Sequence, residues 1–270
     1  MFDLHGKTAL ITGASAGIGR EIARVLGREV QTLVLVARRR DRLDELAAEL
    51  KQSRPGLRVL VRAVDLLDRA ALGAMLDELE RAAEGIDVLV NNAGFGDYGL
   101  LERRDWSKLE RMLELNVVSA TLLLHRLVPP MVARRSGAIL NVGSVAGILP
   151  SPAMSAYSAS KAYVNHLSEG LRAELSGTGV TVTVLCPGPV ETEFQGVAGS
   201  DERPELPRAV YVDVVQCAEE AVDAMKRGRA RLIPGLAPKA MAMAIDALPK
   251  AIVRPVLASM GRRIRGGRGG

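Results

Sequence analysis

Short apolar segments alternate with longer amphipathic segments along most of this chain. Apolar segments such as Thr8–Thr12 and Thr32–Val36 contain no charged residue, which is typical of strands that are buried on both faces. The longer segments place leucines three or four positions apart, as at Leu43, Leu46 and Leu50, and this spacing predicts helices. Regular alternation of the two predicts an α/β fold, a doubly wound parallel sheet with helices on both faces.

The predicted elements follow one another through residues 1–235 without a linker or a repeat, which indicates one domain. About seven strands are predicted, at residues 8–12, 32–36, 58–64, 87–90, 138–142, 180–185 and 230–233. Helices are predicted at residues 18–28, 42–50, 69–83, 106–133, 156–176 and 214–227. The composition, with 48% hydrophobic and 25% charged residues, excludes a disordered or fibrous chain.

The chain after residue 235 differs in composition. Residues 236–260 are rich in Ala and Met, and their three prolines predict an apolar extension of short helices. Residues 261–270 are predicted to form a flexible basic tail. The extension either docks on the fold or a partner subunit, or it contacts an anionic membrane surface together with the tail. Docking is favoured because the segment has no continuous polar face.

Charge and cysteine content exclude several classes of protein. The net charge is +5, and four arginines lie in the last ten residues, so the body is nearly neutral and no nucleic-acid surface is predicted. The two cysteines and three histidines have no metal-ligand spacing, so neither a metal site nor a disulfide framework is expected. We find no secretion signal and no charge-free membrane-spanning stretch, and we expect a cytoplasmic protein.

A glycine-rich turn joins the first strand to the first helix, in the run TGASAGIG. Gly13, Gly17 and Gly19 allow a phosphate to approach the free N–H groups at the start of the helix. The spacing G-x-x-x-G-x-G differs from the G-x-G-x-x-G fingerprint and from a Walker loop. The turn therefore predicts a dinucleotide phosphate site, and the alternative is a tight turn without a ligand.

The second strand ends with arginines where many dinucleotide sites have an acid that binds the ribose. Position 37 is alanine, and Arg38, Arg39 and Arg40 follow it. A guanidinium binds a 2′-phosphate, whereas a carboxylate repels it. Basic residues are also unfavourable at a helix N-terminus, so a solvated charge run explains them less well. Arg38 is therefore the predicted contact of the NADP 2′-phosphate.

Three residues near the predicted fifth strand suggest acid–base chemistry. Ser144 follows that strand, and Tyr157 and Lys161 are four residues apart on the next helix, so they share a face. A nearby ammonium favours the phenolate and lowers the pKa of a tyrosine toward neutrality. The pair is therefore a candidate acid–base device, although a Tyr and a Lys on a solvated face show the same spacing.

Taken together, these motifs resemble the short-chain dehydrogenase/reductase family. The resemblance covers residues 4–235 and includes the expected Rossmann-type fold. Its seven motifs occur in the family's order and spacing: TGASAGIG at 12–19, Asp65, NNAG at 91–94, Asn116, Ser144, YSASK at 157–161 and PGPVET at 187–192.

The resemblance implies a role for each catalytic candidate. Tyr157 would exchange a proton with a carbonyl or alcohol oxygen, Lys161 would hold the nicotinamide ribose and lower the pKa of Tyr157, and Ser144 would orient the substrate oxygen. Asn116 would support a water relay to Lys161. The hydride transfer itself would belong to the bound nicotinamide cofactor.

The resemblance also implies which residues contact the cofactor, expected to be NADP rather than NAD. Asp65 would contact the adenine, although an acid at a helix start is nearly as good an explanation. The implied cofactor-binding residues are Gly13, Ser15, Gly17, Ile18, Gly19, Arg38, Asp65, Asn92, Ala93, Gly94, Tyr157, Lys161, Pro187, Gly188, Val190 and Thr192.

The leading hypothesis is an NADP-dependent oxidoreductase that acts on a small hydrophobic carbonyl compound or secondary alcohol. Apolar candidates for the pocket wall support this substrate class: Phe95, Val145, Leu149, Met154, Val190 and Phe194. The alternative is a non-catalytic dinucleotide-binding sensor or scaffold on the same fold. A sensor would usually have lost one of the reactive residues, and all are present here. By resemblance, a homodimer or homotetramer is expected, formed through the helices around Asn116 and Tyr157.

Overall fold

The computed structural model describes residues 1–81, 85–194, 196, 208–246 and 248–266. Its centre is a parallel sheet of seven strands, as the apolar pattern predicts. The strands are β1 (Thr8–Thr12), β2 (Thr32–Ala37), β3 (Arg58–Ala63), β4 (Val88–Asn91), β5 (Gly137–Val142), β6 (Val180–Leu185) and β7 (Arg231–Leu232). Their order in the sheet is β3-β2-β1-β4-β5-β6-β7.

Helices cover both faces of the sheet. Within the described residues, the α-helices that precede the C-terminal extension are α1 (Gly17–Gly27), α2 (Arg40–Ser53), α3 (Arg69–Arg81), α4 (Trp106–Leu113), α5 (Ala120–Ala133), α6 (Ser155–Glu174) and α7 (Val214–Lys226). The α3 helix was predicted to reach residue 83, but residues 82–84 lie outside the described residues.

Among the described residues, a large apolar cluster packs on each face of the sheet. The helices α1, α2 and α7 pack on one face, where Ile22, Leu46 and Ala221 are buried. The helices α3, α5 and α6 pack on the other face, where Leu76 and Leu127 are buried. Because both faces are covered, every residue of β1, β2, β4 and β5 is buried, which explains their continuous apolar runs.

The strand order reverses between β1 and β4, and this reversal determines where a crevice forms at the edge of the sheet. From β1 the chain proceeds outward to β2 and β3, and then it returns to β4 on the other side of β1. The loops after β1 and β4 therefore diverge and leave a crevice at the carboxyl edge of the sheet, where open α/β sheets bind their ligands.

The helix predicted at residues 106–133 contains a π-helical segment, Glu114–Ser119, between α4 and α5. Such segments are often found at functional sites. The whole helix is long and apolar enough to cross a membrane by length and composition alone. It also carries the buried Asn116, and its residues Leu123, Leu127 and Met131 pack in the core beside the sheet.

The C-terminal extension forms two helices, α8 (Leu236–Asp246) and α9 (Lys250–Gly266). The prediction that all three prolines separate short helices was wrong, because Pro255 lies inside α9. A proline removes one backbone hydrogen bond, and here that loss does not end the helix. A flexible tail from residue 261 was also wrong for residues 261–266, which continue α9, and residues 267–270 lie outside the described residues.

Candidate active site

The glycine-rich turn requires glycine at three positions. Gly13 and Gly17 have φ angles of +67° and +56°, in the left-handed region that other residues rarely adopt. A Cβ at Gly19 would lie 2.6 Å from the carbonyl oxygen of Gly13. The three glycines therefore keep the first turn of α1 close to β1, and they leave the helix N-terminus open to an anion.

A threonine at the end of β1 connects this turn to the loop after β4. The Thr12 hydroxyl donates to the Val90 carbonyl at 3.3 Å and accepts from the Asn92 and Ala93 N–H groups, both at 3.0 Å. The Asn92 side-chain amide donates to the Thr12 carbonyl at 2.8 Å. These bonds hold the two loops of the crevice in a fixed relation before any ligand binds.

Gly19→Ala is expected to weaken cofactor binding at least tenfold and to cost about 1–3 kcal/mol of stability, because its Cβ meets backbone. Gly73→Ala, inside α3, is the matched control, because a Cβ there has no neighbour within 4 Å. We expect that control to be neutral or slightly stabilising. Cofactor titration and urea unfolding measure both effects, and unchanged affinity in Gly19→Ala would contradict this account of the turn.

The crevice is a cleft of about 900 Å³ that reaches from the turn to the reactive residues. The sequence-predicted site residues that line it are Gly13, Ser15, Gly17, Ile18, Arg38, Asp65, Asn92, Ala93, Gly94, Ser144, Tyr157, Lys161, Pro187, Gly188, Val190 and Thr192. Segments that are distant in sequence meet here: a Cβ at Gly17 would lie 3.2 Å from Cγ2 of Thr192.

Gly19 and Asn116 lie behind the cleft wall. Asn116, in the π-helical segment, is 2% exposed. Its Oδ1 accepts from the Phe95 N–H at 3.1 Å, and its Nδ2 donates to the Phe95 carbonyl at 3.0 Å and to Ser160 Oγ at 3.1 Å. Asn116 therefore joins the loop after β4 to the helix that carries Tyr157 and Lys161.

The three reactive residues lie together on one wall. Tyr157 and Lys161 are buried on α6, and the Lys161 Nζ is 6.0 Å from the centre of the Tyr157 ring. Lys161 donates to the Val142 carbonyl at 2.8 Å, at the end of β5. Ser144 begins a 3₁₀ turn, and its hydroxyl accepts from the Ala146 N–H at 3.0 Å. The arrangement places a phenol, an ammonium and a hydroxyl at the edge of one cavity.

Burial lowers the pKa of Lys161 from 10.5 to about 8, because the charged form loses its hydration. The folded protein therefore holds fewer protons than the unfolded chain between these two values. Burial of the charged Lys161 therefore lowers the free energy of unfolding by its full amount below about pH 8. This destabilising effect disappears above about pH 10.5.

Lys161→Met is expected to stabilise the cofactor-free protein by about 1–2 kcal/mol at pH 7. A shift of this size corresponds to about 3 kcal/mol, and the lost hydrogen bond to Val142 offsets roughly 1 kcal/mol of that gain. Urea unfolding of variant and wild type at pH 7 and pH 10 tests this, since the gain shrinks as the pH rises. A gain that is absent, or equal at both pH values, would contradict it.

The acid and the arginines at the other end of the cleft have distinct partners. Asp65 Oδ1 accepts from the Leu67 N–H at 3.1 Å, while Asp68 caps α3, so Asp65 is not the acid at that helix start. Arg38 is exposed, lines the cleft and has no ion-pair partner within the described ranges, whereas Arg39 pairs with Glu193.

Some residues that line the cleft were not predicted from the sequence. Ser107, Lys108 and Arg111 project from α4, and Ala242 projects from α8. Lys108 forms an ion pair with the buried Asp97 at 2.8 Å. Desolvation raises the pKa of Asp97, but the hydrogen bonds from Arg104 and Lys108 outweigh this effect and lower the pKa below its ordinary value. The i, i+3 spacing of Lys108 and Arg111 does indicate that they share one face of α4. It does not show that this face meets the cleft.

The predicted apolar wall lies around the reactive residues. Leu109 and Met112 of α4 pack with Tyr157 in a small cluster. Phe194 also packs there, with its ring centre 5.7 Å from that of Tyr157. The predicted wall residues Phe95, Val145, Leu149, Met154, Val190 and Phe194 all line the cleft.

Comparison with known proteins agrees with this geometry. The family model for short chain dehydrogenases matches residues 7–203. A short chain dehydrogenase from Pseudocercospora fijiensis is 38% identical over 193 residues, which are 71% of this chain and 62% of that protein.

Two similar solved structures contain a nicotinamide cofactor. A short-chain dehydrogenase from Sphingobium yanoikuyae in complex with NADPH has a TM-score of 0.80 and 37% identity, and the match covers 94% of this chain and 95% of that one. A short chain dehydrogenase/reductase from Burkholderia phymatum in complex with NAD has a TM-score of 0.81 and 26% identity, with 94% and 96% covered.

The fold, the cleft and these similarities define a class of dinucleotide-dependent oxidoreductases. The chain belongs to the short-chain dehydrogenase/reductase family. It is an NAD(P)-dependent dehydrogenase or reductase of that family.

Proposed function

We propose that the protein transfers a hydride between NADP and a carbonyl compound or secondary alcohol with a largely apolar body. The observation that carries the proposal is that one cleft holds Tyr157, Lys161 and Ser144 together with the glycine-rich turn. The non-catalytic alternative predicts the loss of such residues, and no observation favours it.

The bound nicotinamide supplies or accepts the hydride. Tyr157 gives its proton to the carbonyl oxygen during reduction and takes it back during oxidation. Lys161 holds the ribose hydroxyls and favours the phenolate of Tyr157. Ser144 donates a hydrogen bond that orients the substrate oxygen. Asn116 holds the backbone of Phe95, and we propose that it also supports a water relay to Lys161.

The preference for NADP follows from the arginine end of the cleft. Ala37 lines the cleft where an acid would bind an unphosphorylated ribose, and the exposed Arg38 follows it and also lines the cleft. A guanidinium in this place binds a 2′-phosphate through charge-assisted hydrogen bonds. The similarity to structures with NADPH and with NAD establishes the cofactor class, and Arg38 supports the choice within it.

NADPH consumption with a panel of carbonyl compounds is the direct test. The panel pairs small polar aldehydes with bulky apolar ketones, and the apolar members are expected to react with the higher kcat/KM. No turnover with any carbonyl compound or alcohol, in either direction, would contradict the proposed reaction. Faster turnover of the polar members would contradict the proposed substrate class.

We also propose that the protein is a cytoplasmic homodimer or homotetramer, and that α8 and α9 dock on the fold or a partner subunit. Ala242 is buried and lines the cleft, and Pro238 is buried beside Gly188. The outer face of these helices exposes apolar side chains: Leu236, Met243, Ile252 and Val256.

Deletion of residues 236–270 is expected to lower stability or association, because it uncovers the cleft wall at Gly188. Deletion of residues 261–270 is the control and is expected to change little, since the Arg265–Glu102 pair that it removes is exposed. Thermal unfolding and light scattering measure both. The full chain is expected not to sediment with anionic vesicles, and salt-sensitive binding that the shorter deletion abolishes would favour peripheral membrane contact instead.

A further inference from the structure

Two segments that are 151 residues apart in sequence meet at the arginine end of the cleft. Glu193 directly follows Thr192, and its Oε2 accepts from Arg39 Nη1 at 2.8 Å. Its Oε1 accepts from Arg42 Nη1. Arg39 also donates to Ser15 Oγ of the glycine-rich turn at 3.2 Å. One carboxylate therefore holds two guanidinium groups beside the place where the phosphates are proposed to bind.

Glu193 is ionised at neutral pH. The hydrogen bond from Arg42, and then that from Arg39, keeps the pKa of this carboxyl below its ordinary value. The side chains of Arg39, Arg42 and Glu193 are 42%, 36% and 52% exposed. Because water and salt weaken exposed ion pairs, a competing anion can exchange with Glu193.

A 2′-phosphate is such an anion, since a guanidinium binds phosphate and carboxylate oxygens with the same donor geometry. A phosphate that enters beside Arg38 reaches Arg39 and Arg42 only by displacing Glu193 from them. The loss of these two ion pairs weakens the binding of a cofactor that carries the 2′-phosphate. It does not affect a cofactor that lacks this phosphate.

We propose that Glu193 is a specificity-determining residue for the cofactor: its carboxylate occupies Arg39 and Arg42 in the free enzyme and competes with the 2′-phosphate. The identity of the competing ligand rests on the proposed use of NADP. The affinity of the enzyme for NADP relative to NAD then depends on two opposing effects: Arg38 attracts the 2′-phosphate, and Glu193 competes with it.

The position of Glu193 also connects the cofactor to the substrate region. The next residue, Phe194, packs on the Tyr157 ring, and a Cβ at Gly96 would lie 2.9 Å from Phe194 Cζ. Release of Glu193 from the arginines is therefore expected to shift Phe194, the residue that packs on the Tyr157 ring. We expect Glu193→Gln to alter the KM for the carbonyl substrate more than kcat.

Calorimetric titration of the full chain with 2′,5′-ADP and with 5′-AMP tests the competition without requiring turnover. Glu193→Gln is expected to bind 2′,5′-ADP about three- to fivefold more tightly than the wild type at low salt, with unchanged affinity for 5′-AMP. The matched control is Glu191→Gln, which removes an exposed carboxylate two positions earlier and is expected to change neither affinity.

A double-mutant cycle separates competition from a structural effect. In a background with Arg39→Gln and Arg42→Gln, Glu193→Gln is expected to give no further gain. Equal 2′,5′-ADP affinity in the wild type and Glu193→Gln would overturn the proposal. An equal gain for 5′-AMP, or a gain that persists without the arginines, would also overturn it.

The same titrations separate this proposal from the proposed cofactor preference. A wild type that does not distinguish the two nucleotides, combined with a Glu193→Gln variant that does, would support the competition and contradict the NADP preference.

Discussion

Tyr157→Phe is expected to lower kcat by about 10²–10⁴, the range for the loss of one general acid–base group. The phenol hydroxyl is the proposed proton donor, and phenylalanine keeps the ring that packs against Phe194 and Met112. Cofactor affinity is expected to remain close to that of the wild type, because Lys161 and the glycine-rich turn are unchanged. Steady-state kinetics and cofactor titration measure the two effects separately.

Tyr163→Phe is the matched control for this variant. Tyr163 lies on the same helix, is 40% exposed, and shares a hydrogen bond of 3.0 Å with Thr121 Oγ1. It does not line the cleft. Loss of its hydroxyl is expected to leave kcat unchanged. Near wild-type turnover in Tyr157→Phe would show that another group delivers the proton.

Ala37→Asp combined with Arg38→Ala is expected to reverse the cofactor preference from NADPH to NADH. The charge-assisted contacts proposed for Arg38 are worth about 1.5–3 kcal/mol, which corresponds to roughly ten- to hundredfold in affinity. The new aspartate repels a 2′-phosphate and accepts hydrogen bonds from the ribose hydroxyls of NADH. The dissociation constants of both cofactors, measured for wild type and variant, test the reversal.

Arg40→Ala is the control within the same arginine run. Arg40 is exposed, pairs with Asp44 at 3.5 Å and does not line the cleft. Its removal is expected to leave the ratio of the two dissociation constants unchanged. Equal dissociation constants for NADPH and NADH in the wild type would contradict the assignment of Arg38.

Strand positions could be predicted closely because a strand that is buried on both faces requires a continuous run of apolar residues. Thr8–Thr12 and Val180–Leu185 were predicted with the bounds that the structure has. The start of α4 is also fixed locally, since the Asp105 side chain accepts from the Lys108 N–H at 3.0 Å. Capping depends on neighbours in sequence, so local patterns are sufficient.

The bounds of the C-terminal helices could not be predicted in the same way. Three prolines suggested several helix ends, but Pro255 lies inside α9, and that helix continues to Gly266. A proline weakens a helix by a limited amount, and the rest of the helix decides whether it continues. The π-helical segment around Asn116 has no sequence pattern of its own either.

The sequence by itself determined the sheet, the order of the motifs and the residue types available for chemistry. Continuous burial, glycine at strained turns and the spacing of Tyr157 and Lys161 are all local requirements. Only the tertiary structure decided which distant groups meet: Asn116 with Phe95, Glu193 with Arg39 and Arg42, and Ala242 with the cleft. Such contacts depend on how the loops at the carboxyl edge of the sheet pack against one another. The arrangement of these loops produces no periodic pattern of residues from which it could be predicted.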